Sequence, residues 1–382
     1  MIYLDNNATT AVAPEVREAM LPWLGEWYGN PSAGYRFGKQ ARRAIDLARE
    51  QVASLIGAEP EEIVFTSGGT ESNHSALHSA FALSPDRPAL LTSTVEHSAI
   101  QEIAQNVAAR LAPVDSLGHL DLAAWRDHLG DDSVALASLI WANNETGVLS
   151  PIRAAAELTA ERGVPFHSDA VQAVGKVPVS VRDLPIQALS LSAHKFHGPK
   201  GIGALFVNRH ARFHPTLLGG GQESERRSGT ENVPGIVGLG VAAKLAWERL
   251  ALASEQNLLR DAFEDGLLAQ LPDLQRNGDP GLRLPQTSNL YFPGVEGEGL
   301  LILLDHAGIC CSPGSACSTG SVQPSRILMA MGQSKERARG SVRFSLSHLN
   351  TAAEVEAAVT AVVGAVHKLR VVLPSGGGRV VG

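Results

Sequence analysis

The chain has 382 residues, of which 44% are hydrophobic and 19% charged, the balance of an ordinary globular protein. That much apolar material builds a sizeable core, which excludes a disordered chain and makes disulfide staples unnecessary. With 32 basic and 39 acidic side chains the formal charge is −7, so direct nucleic-acid binding and electrostatic attachment to membranes are not expected.

The opening Met1-Ile2-Tyr3-Leu4-Asp5 lacks the basic and apolar regions of a secretory signal. Ala41, Ala44, Ile45, Ala48, Val52, Leu55 and Ile56 then recur at helical spacing, and Gly57 with Pro60 ends that helix. Short apolar runs follow at 63–65, 89–92, 134–142, 164–166, 188–191 and 202–207, with helical patterns such as Ile152 to Arg162 between them. Runs of this kind read as strands buried on both faces. Their alternation with helices predicts an α/β fold with a mostly parallel sheet.

Beyond Ala242 the texture changes. A long helical stretch to Leu271 gives way to a loop-rich region marked by Pro272, Pro280 and Pro285. The greasiest stretch, around Gly299 to Cys311, carries Asp305 and His306 and is too short to span a bilayer. Strands are predicted over 288–292 and 341–346, the second with Val342, Phe344 and Leu346 inward and Arg343 and Ser345 outward. Thr351 and Glu354 form a capping box that opens a C-terminal helix, and 374–378 reads as a frayed tail. The organisation expected is a large α/β domain over 14–250 and a smaller α+β domain built from 1–13 and 251–382.

Cys310, Cys311 and Cys317 fall within eight positions, too few for a disulfide framework and without the spacing of a metal site. A reduced, cytoplasmic setting fits that usage, and no metal ligands are assigned.

Polar residues gather where the buried runs stop, the place where open α/β sheets bind ligands. Thr66-Ser67-Gly68-Gly69-Thr70-Glu71 follows one strand and opens a helix, whose free N–H groups suit an anion; taken alone it reads first as an ordinary glycine turn. Other strands end in Thr94-Val95-Glu96-His97, in Trp141-Ala142-Asn143-Asn144-Glu145, in His167-Ser168-Asp169 with Gln172 one turn on, and in Ser192-Ala193-His194-Lys195. An aspartate at a strand end is commonly a helix cap, and a lone histidine is commonly structural. A lysine ending a buried strand is different, because burying ammonium is costly unless it is paired or neutral. Asp169 and Lys195 lie about one strand–helix–strand unit apart. A lysine, a carboxylate and a glycine-rich anion turn are the parts a pyridoxal phosphate enzyme needs.

The sequence resembles the cysteine desulfurases, pyridoxal phosphate enzymes of the class V aminotransferase-like family. The resemblance rests on YLDNNATT at Tyr3 to Thr10, FTSGGTESN at Phe65 to Asn73, VEH at Val95 to His97 and NNETG at Asn143 to Gly147. It continues through SAHKFHGPKGIG at Ser192 to Gly203, RSGTENV at Arg227 to Val233 and GSAC at Gly314 to Cys317, in the family's order. It implies the type I fold of pyridoxal-phosphate-dependent transferases and a sulfurtransferase that turns L-cysteine into L-alanine and a persulfide on Cys317. In that reading Lys195 carries the cofactor as a Schiff base and takes the substrate α-proton. Asp169 holds the pyridinium nitrogen, and His97 stacks on the ring and moves protons. Gln172 and Asn144 serve the phenolic oxygen, Asn144 also lying near the substrate carboxylate. Gly69, Thr70, Ser192 and His194 serve the phosphate. The resemblance also implies a homodimer, with Thr230 reaching the neighbouring subunit's phosphate, and gives Arg343 the substrate carboxylate. Without it, Arg343 reads as a solvated strand-face charge. Cys310 and Cys311 sit in an apolar run and read as structural. Metal binding enters only as a family label.

The loop before RSGTENV departs from the family: Ser224 and Glu225 stand where an Arg-Gly pair is usual. The GSAC loop places the chain with the iron–sulfur and tRNA-thiolation branch, so the sulfur acceptor is expected to be an iron–sulfur scaffold or a tRNA-thiolation protein. The segment after Val371 does not resemble the tail with which some relatives dock a scaffold. Three readings stand: a cysteine desulfurase, a selenocysteine lyase or aminotransferase on the same fold, or a catalytically silent binding subunit. An aminotransferase has no need of a nucleophilic thiol, and a silent subunit has no chemical reason to keep Lys195, Asp169, His97 and Cys317 together.

Overall fold

The computed structural model describes residues 1–313 and 323–372. The strands are β1 (Ile2–Tyr3), β2 (Ile63–Thr66), β3 (Ala89–Ser93), β4 (Ala108–Ala112), β5 (Val134–Ile140), β6 (Phe166–Asp169), β7 (Ala188–Ser192), β8 (Gly203–Val207), β9 (Gln275–Arg276), β10 (Thr287–Tyr291), β11 (Ile309–Cys310), β12 (Ser312–Pro313) and β13 (Ser341–Ser345). Three helices precede or follow the first core strand: α1 (Pro14–Leu24), α2 (Arg36–Ile56) and α3 (Gly69–Leu83).

A seven-stranded sheet runs β2-β8-β7-β6-β5-β3-β4. Strand β8 is antiparallel to both neighbours and the other pairings are parallel, as the alternating pattern predicts. All seven residues of β5 are buried, which is why that strand reads as one apolar run. Two strands differ from expectation. The edge strand β4 is not among the predicted strands: its Ala-Ala-Arg-Leu-Ala has no β-branched residue, and only Ala112 of its five residues is buried. The run at 164–166 is a strand only from Phe166 onward, continuing through the buried polar residues His167, Ser168 and Asp169.

Helix α2 follows the predicted periodicity and stops at Gly57, whose φ of 67° lets its N–H reach back to Ala53 and Ser54. The large core joins α2 and the helix Val233–Arg249 to the big sheet through Ile45, Val52, Leu139, Phe166 and Leu239. A second core gathers Leu4, Phe263, Leu290, Phe292, Phe344 and Val362 under a four-stranded sheet ordered β12-β13-β10-β9. The predicted capping box is present: Glu354 N–H donates to Thr351 Oγ1 at 3.2 Å and Thr351 N–H to Glu354 Oε2 at 3.0 Å, opening the helix Ala352–Val372. The predicted tail at 374–378 and the Gly314 to Cys317 motif lie outside the described residues. Among the described residues no helix is long and apolar enough to cross a membrane.

One orientation is corrected. Val342, Phe344 and Leu346 do face the second core, but Arg343 and Ser345 do not face solvent: Arg343 is 2% exposed. The N-terminal segment covers that face of β13, with Asn6 N–H donating to Ser345 O and Asn7 N–H to Ser345 Oγ.

Candidate active site

Ten of the predicted site residues line one cavity of about 320 Å³: Gly69, Thr70, His97, Asn144, Asp169, Gln172, Ser192, His194, Lys195 and Arg343. Most stand beyond the carboxyl ends of β2, β3, β5, β6 and β7, where the parallel strands stop and their connections diverge. Asp169 is the last residue of β6. Its Oδ2 accepts from Asn73 Nδ2 at 2.7 Å and its Oδ1 from Val171 N–H at 3.0 Å, so the carboxylate is held from two sides. Lys195 ends a short 3-10 turn after β7 and donates to Asn7 O at 2.7 Å and Ala8 O at 2.9 Å. The YLDNNATT segment therefore forms a wall of the cavity.

His97 caps the helix Ser98–Ala104. Its Nδ1 accepts from Ala99 N–H at 3.1 Å, which leaves the ring proton on Nε2. Burial lowers its pKa, aided by Lys195 and Arg326 and opposed by Asp169, so the ring favours its neutral form. Beneath it Glu96 is fully buried, and burial pushes its carboxyl up to about 7 although Ser93 Oγ and Ile140 N–H donate to it. His194 contacts Thr9 Oγ1 at 3.1 Å, and burial, then Lys195, brings its pKa down to about 4.

Helix α3 opens directly behind β2, so its first N–H groups and the positive end of its dipole face the cavity at Gly69 and Thr70. A side chain on Gly69 would stand 2.6 Å from Val171 Cγ2, so the turn is sterically closed to anything larger. On the opposite wall Arg343 Nη2 meets Asp5 Oδ1 at 2.7 Å and Nη1 donates to Asn144 O at 2.9 Å. Arg343 Nε and Asn144 Oδ1 are buried without a protein partner among the described residues, so the cavity keeps one donor and one acceptor for a ligand.

Two predicted residues do not join this group. Thr230 is exposed and lines a separate cavity of about 200 Å³ with Thr66, Ser67 and Gly229. Cys317 lies outside the described residues. The Ser224-Glu225 departure sits in a left-handed turn: Glu223, Ser224 and Glu225 have φ of 50°, 57° and 64°. Glu223 anchors the turn through two 2.7 Å contacts with Arg49 and a 2.9 Å bond from Phe65 N–H. Cys310 and Cys311 are half-buried, and burial pushes the Cys311 thiol up to about 12, away from the reactive thiolate. Sequence reasoning gave no role to Asn7, Asn73, Glu96 or Lys176. Asn7, Asn73 and Glu96 lie inside the quoted motifs, which places them near the site without giving them a role.

Residues 2–358 match the family described as Aminotransferase class-V. The chain is 49% identical to a cysteine desulfurase of Cereibacter sphaeroides, over 98% of each chain. It is 47% identical to the cysteine desulfurase NifS of Azotobacter vinelandii, over 99% of this chain and 96% of that one. A solved NifS-like protein, 34% identical, superposes with a TM-score of 0.89 over 96% of this chain and 99% of its own. The chain belongs to the class-V aminotransferase family, and within it to the cysteine desulfurases. It is an enzyme of a pyridoxal-phosphate-dependent family.

The residues present fit that cofactor. An amine at Lys195, a doubly held carboxylate at Asp169, a helix N-terminus backed by Ser192 and unfilled polar atoms opposite meet the needs of its aldehyde, ring nitrogen and phosphate.

Proposed function

We propose that the protein draws sulfur from L-cysteine, releases L-alanine and holds the sulfur as a persulfide on Cys317 for transfer to an acceptor. The observation that carries this reading is the convergence of Lys195, Asp169, His97 and Arg343 on one cavity at the strand ends. Bound pyridoxal phosphate supplies an electron sink for the bond broken at the substrate Cα. Asp169 would keep the pyridinium nitrogen protonated, and the α3 N-terminus with Ser192 and His194 would hold the phosphate. Gln172 and Asn144 would orient the ring edge. Lys195 would accept the α-proton at Nζ, and neutral His97 would pass protons at Nε2. Arg343 would use Nε and its Nη groups to fix the substrate carboxylate.

In the sulfur-transfer step the Cys317 thiolate forms an S–S bond with the substrate sulfur. The Cβ–S bond breaks, its electron pair stays with the carbon skeleton, and proton uptake gives alanine. No external oxidant is required. The family membership favours this over selenocysteine lyase or transamination.

Three finer points belong to the same proposal. The chain acts as a homodimer, supported by Thr230 standing apart from its own cavity on an exposed loop. Residues 14–250 form a cofactor-holding domain and 1–13 with 251–382 a second, in keeping with Leu4 packing in the second core. The persulfide passes to an iron–sulfur scaffold or tRNA-thiolation protein in the cytoplasm. The test is alanine formed from L-cysteine, with a thiol reductant, by wild type and Cys317→Ala. Loss in the variant with the yellow cofactor retained is expected. Equal alanine from both proteins overturns the assignment of Cys317, and none from a yellow wild type overturns the activity.

A further inference from the structure

We infer that Lys176 is a positioning residue, whose buried amine fixes the side-chain amide of Gln172 with its oxygen turned away from the cofactor cavity and its NH2 group toward it. The inference rests on the proposed place of Gln172 at the cofactor ring. Lys176 follows Gln172 by four residues, at the end of the turn that leaves β6, and is buried. Its Nζ donates to Gln172 Oε1 at 2.5 Å and to Asn7 Oδ1 at 3.4 Å. On the other side Gln172 Nε2 donates to Asn7 O at 2.9 Å, the same oxygen that receives Lys195 Nζ. A flipped amide would set Gln172 Oε1 against Asn7 O, two acceptors with no hydrogen between them.

Among the described residues no carboxylate lies within ion-pair distance of Lys176, so it is not there to neutralise an acid. Burial, then Lys195 and Arg343, lowers its pKa well below the usual lysine value; a neutral amine still keeps N–H donors for Gln172. Nor does Lys176 line the main cavity. It borders a second, smaller one that shares Lys195 with the first, so it works through Gln172 rather than on a ligand. Removing the amine strips the amide of one of its two constraints and makes the flipped orientation accessible, with an acceptor facing the ring where a donor stood.

The test uses the full chain loaded with pyridoxal phosphate: wild type, Lys176→Met, Gln172→Leu, the double variant and Lys176→Arg. The readouts are the ratio of the cofactor's visible absorption bands at fixed pH and cofactor affinity by fluorescence titration. Lys176→Met and Gln172→Leu should shift the band ratio in the same direction and weaken binding by about tenfold. The double variant should be no worse than Gln172→Leu, because both act through one amide. Lys176→Arg, which keeps a donor, should restore most of the wild-type spectrum. If Lys176→Met does not fold, Lys176→Leu, likewise without a donor, takes its place and is read in the same way. A wild-type spectrum and affinity in Lys176→Met beside an altered Gln172→Leu overturns the inference alone. So does full additivity in the double variant. A silent Gln172→Leu overturns the reading of Gln172 at the ring, and the inference with it.

Discussion

The two main sheets carry their polar residues in different ways. In the seven-stranded sheet every strand but the edge strand β4 is buried along its length, and the residues aimed at the cavity sit where strands stop: Asp169 closes β6, Ser192 closes β7, and His97 and Asn144 follow β3 and β5. In the four-stranded sheet Arg343 sits in the middle of β13, on the face opposite the second core. The first arrangement needs only a parallel sheet, because diverging connections leave a crevice at the carboxyl ends. The second needs a covering layer, here the N-terminal segment that brings Asp5 and Asn7 over β13. One wall of the cavity is thus set by topology and the other by a contact between distant parts of the chain.

The largest expected effects test that division. Lys195→Ala removes the amine at a strand end and should lower alanine formation by about 1,000-fold or more, with loss of the cofactor's visible band after dialysis. Arg343→Lys should leave that band in place. Lysine keeps the charge but loses the planar fork, so KM for cysteine should rise by roughly 30- to 100-fold, about 2–3 kcal/mol, with a smaller change in kcat. If Arg343→Lys also discharges the cofactor, the two walls are not independent and the contrast between the sheets fails.

The same contrast explains what could be read from sequence. The strand-end residues were legible because apolar runs announce where a buried strand stops and polar residues begin. Arg343 as a buried group was not, since alternation in β13 says which residues share a face and not what covers that face. Strand β4 was not legible because Ala108 to Ala112 is alanine-rich and broken by Arg110, without the β-branched residues that mark a strand. Lys176 and Glu96 were hidden for another reason: their role comes from burial beside groups far along the chain, Asn7 for the one and Ile140 for the other. The motif residues came from the family resemblance, and the geometry of the cavity now gives ten of them a common location.

Inside the large sheet a smaller effect separates buried polar groups from those of the cavity. His167 is fully buried between Ser138 and Ser190, and burial takes its pKa to about 3; His197, beside His348, falls to about 4, again chiefly through burial. Unfolded, each would take up its proton near its ordinary value of 6.5. Stability is therefore fully present above that value and is lost as pH falls below it, by about 1.4 kcal/mol per pH unit for each histidine. Glu96 works in the opposite sense. Its carboxyl titrates near 7 when folded against 4.5 unfolded, so its contribution is lost as pH rises through that window. It cancels one histidine slope of this kind, to which His194 and His348, both at about 4, also contribute. Urea unfolding at about pH 5, 6 and 7 should show Glu96→Gln steepening the acid loss by about 1.4 kcal/mol per pH unit. An unchanged slope would mean that Glu96 is ionised in the folded protein.

The smallest effect concerns Glu225, in the turn at 223–225 that belongs to neither sheet. All three residues have left-handed backbone, a conformation that costs a residue with a side chain about 1–2 kcal/mol relative to glycine. At Glu223 the side chain offsets that cost by its contacts with Arg49 and Phe65 N–H. Glu225 is exposed and has no hydrogen bond or ion pair from its carboxylate among the described residues. Glu225→Gly should therefore stabilise the folded chain by roughly 0.5–1 kcal/mol, the strain relieved less the extra entropy of an unfolded glycine. Glu223→Gly should do the reverse and destabilise it by about 2–3 kcal/mol, because Arg49 and a buried N–H lose their acceptor. Opposite signs at two positions of nearly equal φ, read as shifts in urea midpoint at constant m, would show that side-chain anchoring holds this turn. Equal signs would mean that the backbone at 223–225 relaxes out of the left-handed region once either side chain is gone.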